Sequence, residues 1–161
     1  MDSSAGGTGG VDVRRTFSPT STGVDYTMSF FVAPDQLSDV TVAFGTNDIA
    51  PSAEPYVSFD LSAGTKSETL GGATNFSSAI SASTNGFYRC SVTFRAQDTS
   101  GVVFLIQLGT GSRFPTVDLD GTSSVLLEDV QFEEASSATA YQKVVSEYDV
   151  TEAGVDSLWY L

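Results

Sequence analysis

Hydrophobic and polar residues alternate with period two through most of the chain, the spacing of strands with one buried face. Val24, Tyr26, Met28, Phe30 and Val32 are separated by Asp25, Thr27 and Ser29, and Pro34-Asp35 ends the run. Val40, Val42 and Phe44 repeat the pattern before the turn residues Gly45-Thr46-Asn47-Asp48. Tyr56 to Leu61 forms a further short run, with weaker ones at Lys66 to Leu70 and Ser77 to Ser83. The clearest run is Phe87 to Ala96, with Tyr88, Cys90, Val92, Phe94 and Ala96 on one face and Arg89, Ser91, Thr93 and Arg95 on the other. Asn85-Gly86, just before it, is a pair suited to the positive φ of a tight hairpin. Val102 to Leu108 and Val125 to Phe132 complete the set. No window of helical length has a clean 3.6 period, although Ala135 to Val145 has room for a short helical turn. About eight or nine short strands at regular spacing predict an all-β fold, an antiparallel two-sheet β-sandwich of the jelly-roll kind. The aromatics Tyr26, Phe30, Phe44, Phe59, Tyr88, Phe94, Phe104 and Phe132 fall on inward positions and are expected in its core.

The ends differ from this middle. Residues 1–10 read as a flexible Gly/Ser-rich arm, 11–145 as the sandwich domain, and 146–161 as an acidic tail with an apolar end. The arm has too few apolar groups to offset its ordering entropy. The tail gathers Leu158, Trp159, Tyr160 and Leu161, and such a cluster has to be covered. Both ends are expected to make assembly contacts with other chains. The other placement for the tail is an extra edge strand on its own sheet.

Composition narrows the classes. A length of 161 residues suits one domain, and 17% charged against 40% hydrophobic residues is a globular balance. Twenty Asp plus Glu against seven Lys plus Arg give a formal net charge of −13. A field of that sign repels nucleic acid and anionic lipid, so neither is an expected partner. No stretch is long and apolar enough to span a bilayer, so membrane insertion is not expected. Cys90 is the only cysteine and lies in an alternating run, where a buried, inert thiol is expected. Met1 to Gly10 lacks the basic and apolar regions of a signal peptide, which predicts synthesis without export by that route.

Several blocks carry a resemblance. Asn85-Gly86-Phe87-Tyr88-Arg89-Cys90-Ser91-Val92-Thr93-Phe94 resembles the NGWYRCSVTF block of tailed-phage structural proteins. Ser58-Phe59-Asp60-Leu61 followed by Gly64-Thr65 resembles the FDLxxGT block that precedes it there. Asp120-Gly121-Thr122-Ser123, Gln131-Phe132-Glu133-Glu134 and Ser136 to Gln142 resemble their GDGTSG…QLEEGSSATAYQ ending. In the same order these blocks span about Val24 to Gly154. The chain thus resembles the jelly-roll, carbohydrate-binding-module-like domain of phage fibres, spikes and head decorations. The resemblance implies a virion-surface location, other virion proteins as partners, homo-oligomerisation and surface glycans as ligands. Two features depart from it: Glu128 stands where relatives often carry an aromatic, and the aromatic-rich opening strand is not recognisable in Met1 to Arg15.

Candidate chemistry is sparse. The chain has no histidine, which removes Ser-His-Asp and Cys-His catalysis and the commonest zinc ligand. Asp118 and Asp120, two apart near a strand end, are the one carboxylate pair at loosely glycosidase-like spacing. A turn starting at Asp120-Gly121 is the expected alternative. The same two residues are the candidate metal ligands: Asp118-Leu119-Asp120-Gly121 has part of a calcium-loop pattern but no later acidic ligand. No other cofactor is implied. Tyr56, Phe87 and Phe114, with Trp159, are the aromatics whose placement suits an exposed ligand platform. The expected function is therefore that of a non-catalytic structural protein of the virion surface, in the capsid decoration, head fibre or tail fibre. The alternative is a glycan-binding module for host or environmental polysaccharide.

Overall fold

The computed structural model describes residues 6–44, 55–71, 73, 75–97, 99 and 101–143, and the backbone alone at Phe17 and 155–158. It is an antiparallel β-sandwich, as the alternation predicts. The strands are β1 (Thr8–Gly9), β2 (Asp12–Phe17), β3 (Asp25–Pro34), β4 (Asp39–Phe44), β5 (Tyr56–Asp60), β6 (Thr65–Thr69), β7 (Ser77–Ala82), β8 (Tyr88–Arg95), β9 (Val102–Leu108), β10 (Val117–Asp118), β11 (Val125–Glu133) and β12 (Val155–Leu158). One sheet runs β12-β11-β3-β8-β7 and the other β2-β9-β4-β5-β6, while β1 and β10 form a separate two-stranded ribbon.

Inward residues of both sheets make one core. Tyr26, Phe30, Phe44, Phe59, Phe94, Phe104 and Phe132 are all at most 2% exposed, and Cys90 and Val92 are fully buried. Tyr88 is only half-buried, packed at the margin of that core. Four rings surround Phe94: Phe44 at 5.3 Å between centroids, Phe104 at 5.6 Å, Tyr26 at 6.1 Å and Phe132 at 6.4 Å. Tilted and edge-on arrangements dominate, as the quadrupoles of aromatic rings favour. At the β6–β7 margin Lys66 and Ser78 both donate to Glu68, tying one sheet to the other.

Burial pushes the Cys90 thiol up to about 12, because the thiolate has no solvation there. A thiol reagent at mildly alkaline pH is expected to leave Cys90 unmodified in the folded protein and to label it once denaturant is added. Labelling of the folded protein at the rate of a free thiol would contradict its burial.

Several elements differ from the pattern-based expectation. The weaker runs at residues 66–70 and 77–83 are true edge strands, each paired along its length with a stronger neighbour. Asp12–Phe17 is also a strand, pairing with β9 from Asp12↔Gln107 to Phe17↔Val102. Its charged residues hid it, since an edge strand needs little apolar surface. Gly6 to Gly9, expected within a flexible arm, are hydrogen-bonded to the segment at Asp118–Leu119: Gly6 N–H donates to Leu119 O and Leu119 N–H to Gly7 O, both at 2.8 Å. A Cβ at Gly9 would lie 2.8 Å from Leu119 Cδ1, so a larger residue there requires the Leu119 side chain to move. Asn85 and Gly86 take the expected positive φ, 56° and 81°, in the tight turn from β7 to β8. The Gly45–Asp48 turn lies outside the described residues.

The strand expected at Val125–Phe132 is present but broken in register between Glu128 and Gln131, with Asp129 at φ 53°. This bulge changes which parity faces inward: Val125 and Leu127 pack on the core before it, Val130 and Phe132 after it. The helical turn entertained for Ala135 to Val145 does not form within Ala135–Lys143. That stretch is instead an irregular strap that begins with a bend and is tied to outward side chains of β3, β8 and β11. Glu133, 4% exposed, accepts from Thr139 N–H at 2.9 Å, Thr139 Oγ1 at 2.7 Å and Gln131 Nε2 at 3.0 Å. Gln142 N–H donates to Gln131 Oε1 at 2.8 Å, Thr27 Oγ1 to Ala135 O at 2.9 Å, and Arg89 to Thr139 O. Thr27, Gln131 and Glu133, all of the outward, polar parity, are thereby buried with hydrogen-bond partners.

The backbone of Val155–Leu158 pairs with β11, Leu158 opposite Gln131, so this part of the tail takes the edge-strand placement. Trp159, Tyr160 and Leu161 lie outside the described residues.

Candidate functional site

The outward parity of β9 presents Val103, Leu105 and Gln107, and that of β2 presents Asp12 and Arg14 beside them. Arg14 grips Asp12 in a two-pronged ion pair, Nε to Oδ1 at 2.9 Å and Nη2 to Oδ2 at 2.7 Å. The loop after β9 crosses this face and is pinned from below. Thr41 Oγ1 donates to Gly109 O at 2.8 Å, and Gln107 Nε2 to Arg113 O at 2.7 Å. Arg113 Nη2 donates to Phe44 O, and its guanidinium carbon lies 4.6 Å from the centroid of the Phe114 ring. Phe114 is thus held by an anchored cation yet remains 53% exposed. Around it opens a shallow groove of about 500 Å³, bordered by Arg14, Leu105, Gln107, Phe114 and Thr116. An apolar ring at a concave site with a few convergent polar groups is the ordinary make-up of a ligand-binding surface.

The other expected aromatics are placed less favourably. Tyr56 and Phe87 are half-buried and lie elsewhere, Tyr56 opposite Ala43 and Thr69 in its sheet and Phe87 closing the β7–β8 turn. Asp118 and Asp120 border a second shallow groove of about 440 Å³. There Asp120 Oδ1 accepts from Thr122 N–H at 2.8 Å and Thr122 Oγ1 at 2.7 Å, the turn arrangement. Among the described residues no three His, Cys, Asp or Glu side chains converge, so the calcium expectation at Asp118 and Asp120 gains no third ligand.

Carboxylates elsewhere are tuned mainly by local hydrogen bonds. Arg95, through a bidentate pair, holds Asp25 below the usual range. The Ser62 hydroxyl and Ala63 N–H do the same for Asp60, and the Thr122 hydroxyl for Asp120. For Glu68, burial pushes upward, but Lys66 and Ser78 together bring it down. Asp39 is raised, first by burial and then by the facing Asp60. A carboxyl lowered in the fold adds stability above its unfolded value, and that stability is lost as pH falls through its folded value. The protein is therefore expected to weaken from about pH 4 downward, with Asp39 opposing the trend slightly. A denaturation midpoint higher at pH 3 than at pH 7 would contradict these assignments.

Sequence reasoning singled out Phe114 and missed Arg14, Gln107, Arg113 and Thr116. For Arg14 the one signal was the alternation of Gly10, Asp12 and Arg14 against Val11 and Val13, too short to stand out. Neither a protein-family model nor a curated protein matches the chain.

Proposed function

We propose that this chain is a non-catalytic surface domain of a tailed-phage virion, assembled with other virion proteins and with copies of itself. What supports this is where the blocks resembling that family fall. Asn85 to Phe94 is the tight turn and the central core strand β8. Asp60 to Gly64 is the turn capped by the Asp60 carboxylate. Ser136 to Gln142 is the strap held by Glu133 and Gln131. These three blocks serve the framework and none borders the Phe114 groove, whereas the Asp120–Ser123 block borders the neighbouring groove. The absence of histidine and the engagement of Asp120 by its own turn favour a non-catalytic role. Antibody labelling of purified phage particles tests the location. Labelling of intact virions is expected, and recovery of the protein only from unassembled lysate would overturn it.

A second reading is favoured by one observation, the exposed Phe114 ring set against the Arg113 guanidinium. We infer that its groove binds glycan. The electron-rich ring face attracts the polarised C–H face of a sugar, while Arg14 and Asp12 offer donors and acceptors to hydroxyls. Because these two charges neutralise each other, a neutral ligand meets little field there despite the net charge of −13.

A further inference from the structure

The Phe114 groove does not stand alone. Thr116 borders both it and the second groove, which continues past Val117 to Asp118 and Asp120. The opposite bank is a single stretch of chain as well: Gly10, Asp12 and Arg14 border the first groove and Thr8 the second. These even-numbered residues lie along one side of an extended segment. From Thr8 to Arg14 that segment covers about 20 Å at the rise of a β-strand. The β1–β10 ribbon fixes the distance between the two banks, since Gly9 pairs with Val117 and Thr8 with Asp118.

Building on the glycan reading above, we propose that the two grooves form one track, which binds the interior of an extended polysaccharide and not a single terminal sugar. Phe114 stacks on one ring over the β2–β9 edge of its sheet. Successive rings run past Thr116, where the exposed side chains of Thr8 and Asp118 meet hydroxyls further along. A shallow, open track suits this ligand, because a polymer passing through must be free to extend beyond both ends. The acidic far end accepts hydrogen bonds from neutral hydroxyls and rejects anionic sugars. Uncharged polysaccharide is therefore the ligand class.

The test is calorimetric binding of the full chain to neutral oligosaccharides from mono- to hexasaccharide, in series of β-linked glucose, mannose and N-acetylglucosamine. A glycan array supplies the linkage if these three do not bind. Affinity is expected to rise with length across the series. Phe114→Ala is expected to cut affinity about ten-fold or more at every length. Asp118→Ala is expected to leave the shortest binding members unchanged and to remove part of the gain of the longest. Binding that does not grow with length, or that Asp118→Ala leaves unaltered at all lengths, overturns the track but leaves a glycan site at Phe114. Absence of binding to every glycan on the array, or binding insensitive to Phe114→Ala, overturns the glycan reading itself.

Discussion

Replacing Phe94 with alanine is expected to lower the free energy of unfolding by about 3–5 kcal/mol, the cost of emptying a large aromatic site in a packed core. Phe94 is 1% exposed and has four other rings around it, contributed by both sheets. Because the two layers meet on this side chain, neither can close the gap without shifting against the other. Urea denaturation followed by tryptophan-independent circular dichroism measures the change. A midpoint indistinguishable from that of the unmodified chain would contradict this core assignment.

The second large effect concerns the strap. Changing Glu133 to alanine removes one buried acceptor serving three donors, the Gln131 amide fully buried and the two Thr139 groups partly so. Hydrogen bonds to a charged group contribute about 1.5–3 kcal/mol, and a stranded buried donor costs a similar amount. A loss of about 2–4 kcal/mol follows. It should be accompanied by faster amide exchange at Thr139 and Gln142, while β8 amides keep their protection. Glu133→Gln retains one carbonyl acceptor and should fall between the two. Uniform acceleration across the sandwich would mean that the strap is not a separate unit. Thr139→Val, which removes the hydroxyl but keeps the amide, should cost less than Glu133→Ala.

The core was legible because alternation states it directly. Once Tyr88, Cys90, Val92 and Phe94 are placed on one side of a strand, a one-residue slip would bury Arg89, so the register follows. The tight turn was equally plain, since Asn85-Gly86 is the pair that tolerates two positive φ values in succession. What local pattern could not reveal was anything decided by a distant partner. Asp12–Phe17 becomes a strand because β9 offers it an edge, and Gly6–Gly9 are fixed by Leu119 and Asp118. The bulge at Asp129 lets β11 keep apolar residues inward on both sides of a break in parity, which a strict period of two cannot describe. The strap was misread for a related reason. Its small residues permit a helical turn, but Glu133 and Gln131 offer its backbone partners that a helix would forgo.

The same division applies to the site. Phe114 could be singled out as an aromatic off the inward pattern, but nothing local marks Arg113 as its support. That role depends on Arg113 reaching Phe44 O across the sheet and on Gln107 holding the Arg113 carbonyl. Tyr56 and Phe87, equally plausible by position, are half-buried because neighbouring strands and the hairpin turn cover them. Phe114→Ala itself should cost about 1–2 kcal/mol, from the buried half of the ring and its contact with Arg113, well short of the loss at Phe94. It therefore remains a probe of function.

The most direct test of the proposal that the sandwich binds glycan without altering it is affinity electrophoresis through gels containing neutral polysaccharide, with reducing ends assayed in the same gels. The full chain should be retarded, Phe114→Ala should migrate as in a plain gel, and no reducing ends should appear. Equal migration of both proteins in every polysaccharide, or release of reducing ends by the unmodified chain, would contradict the account.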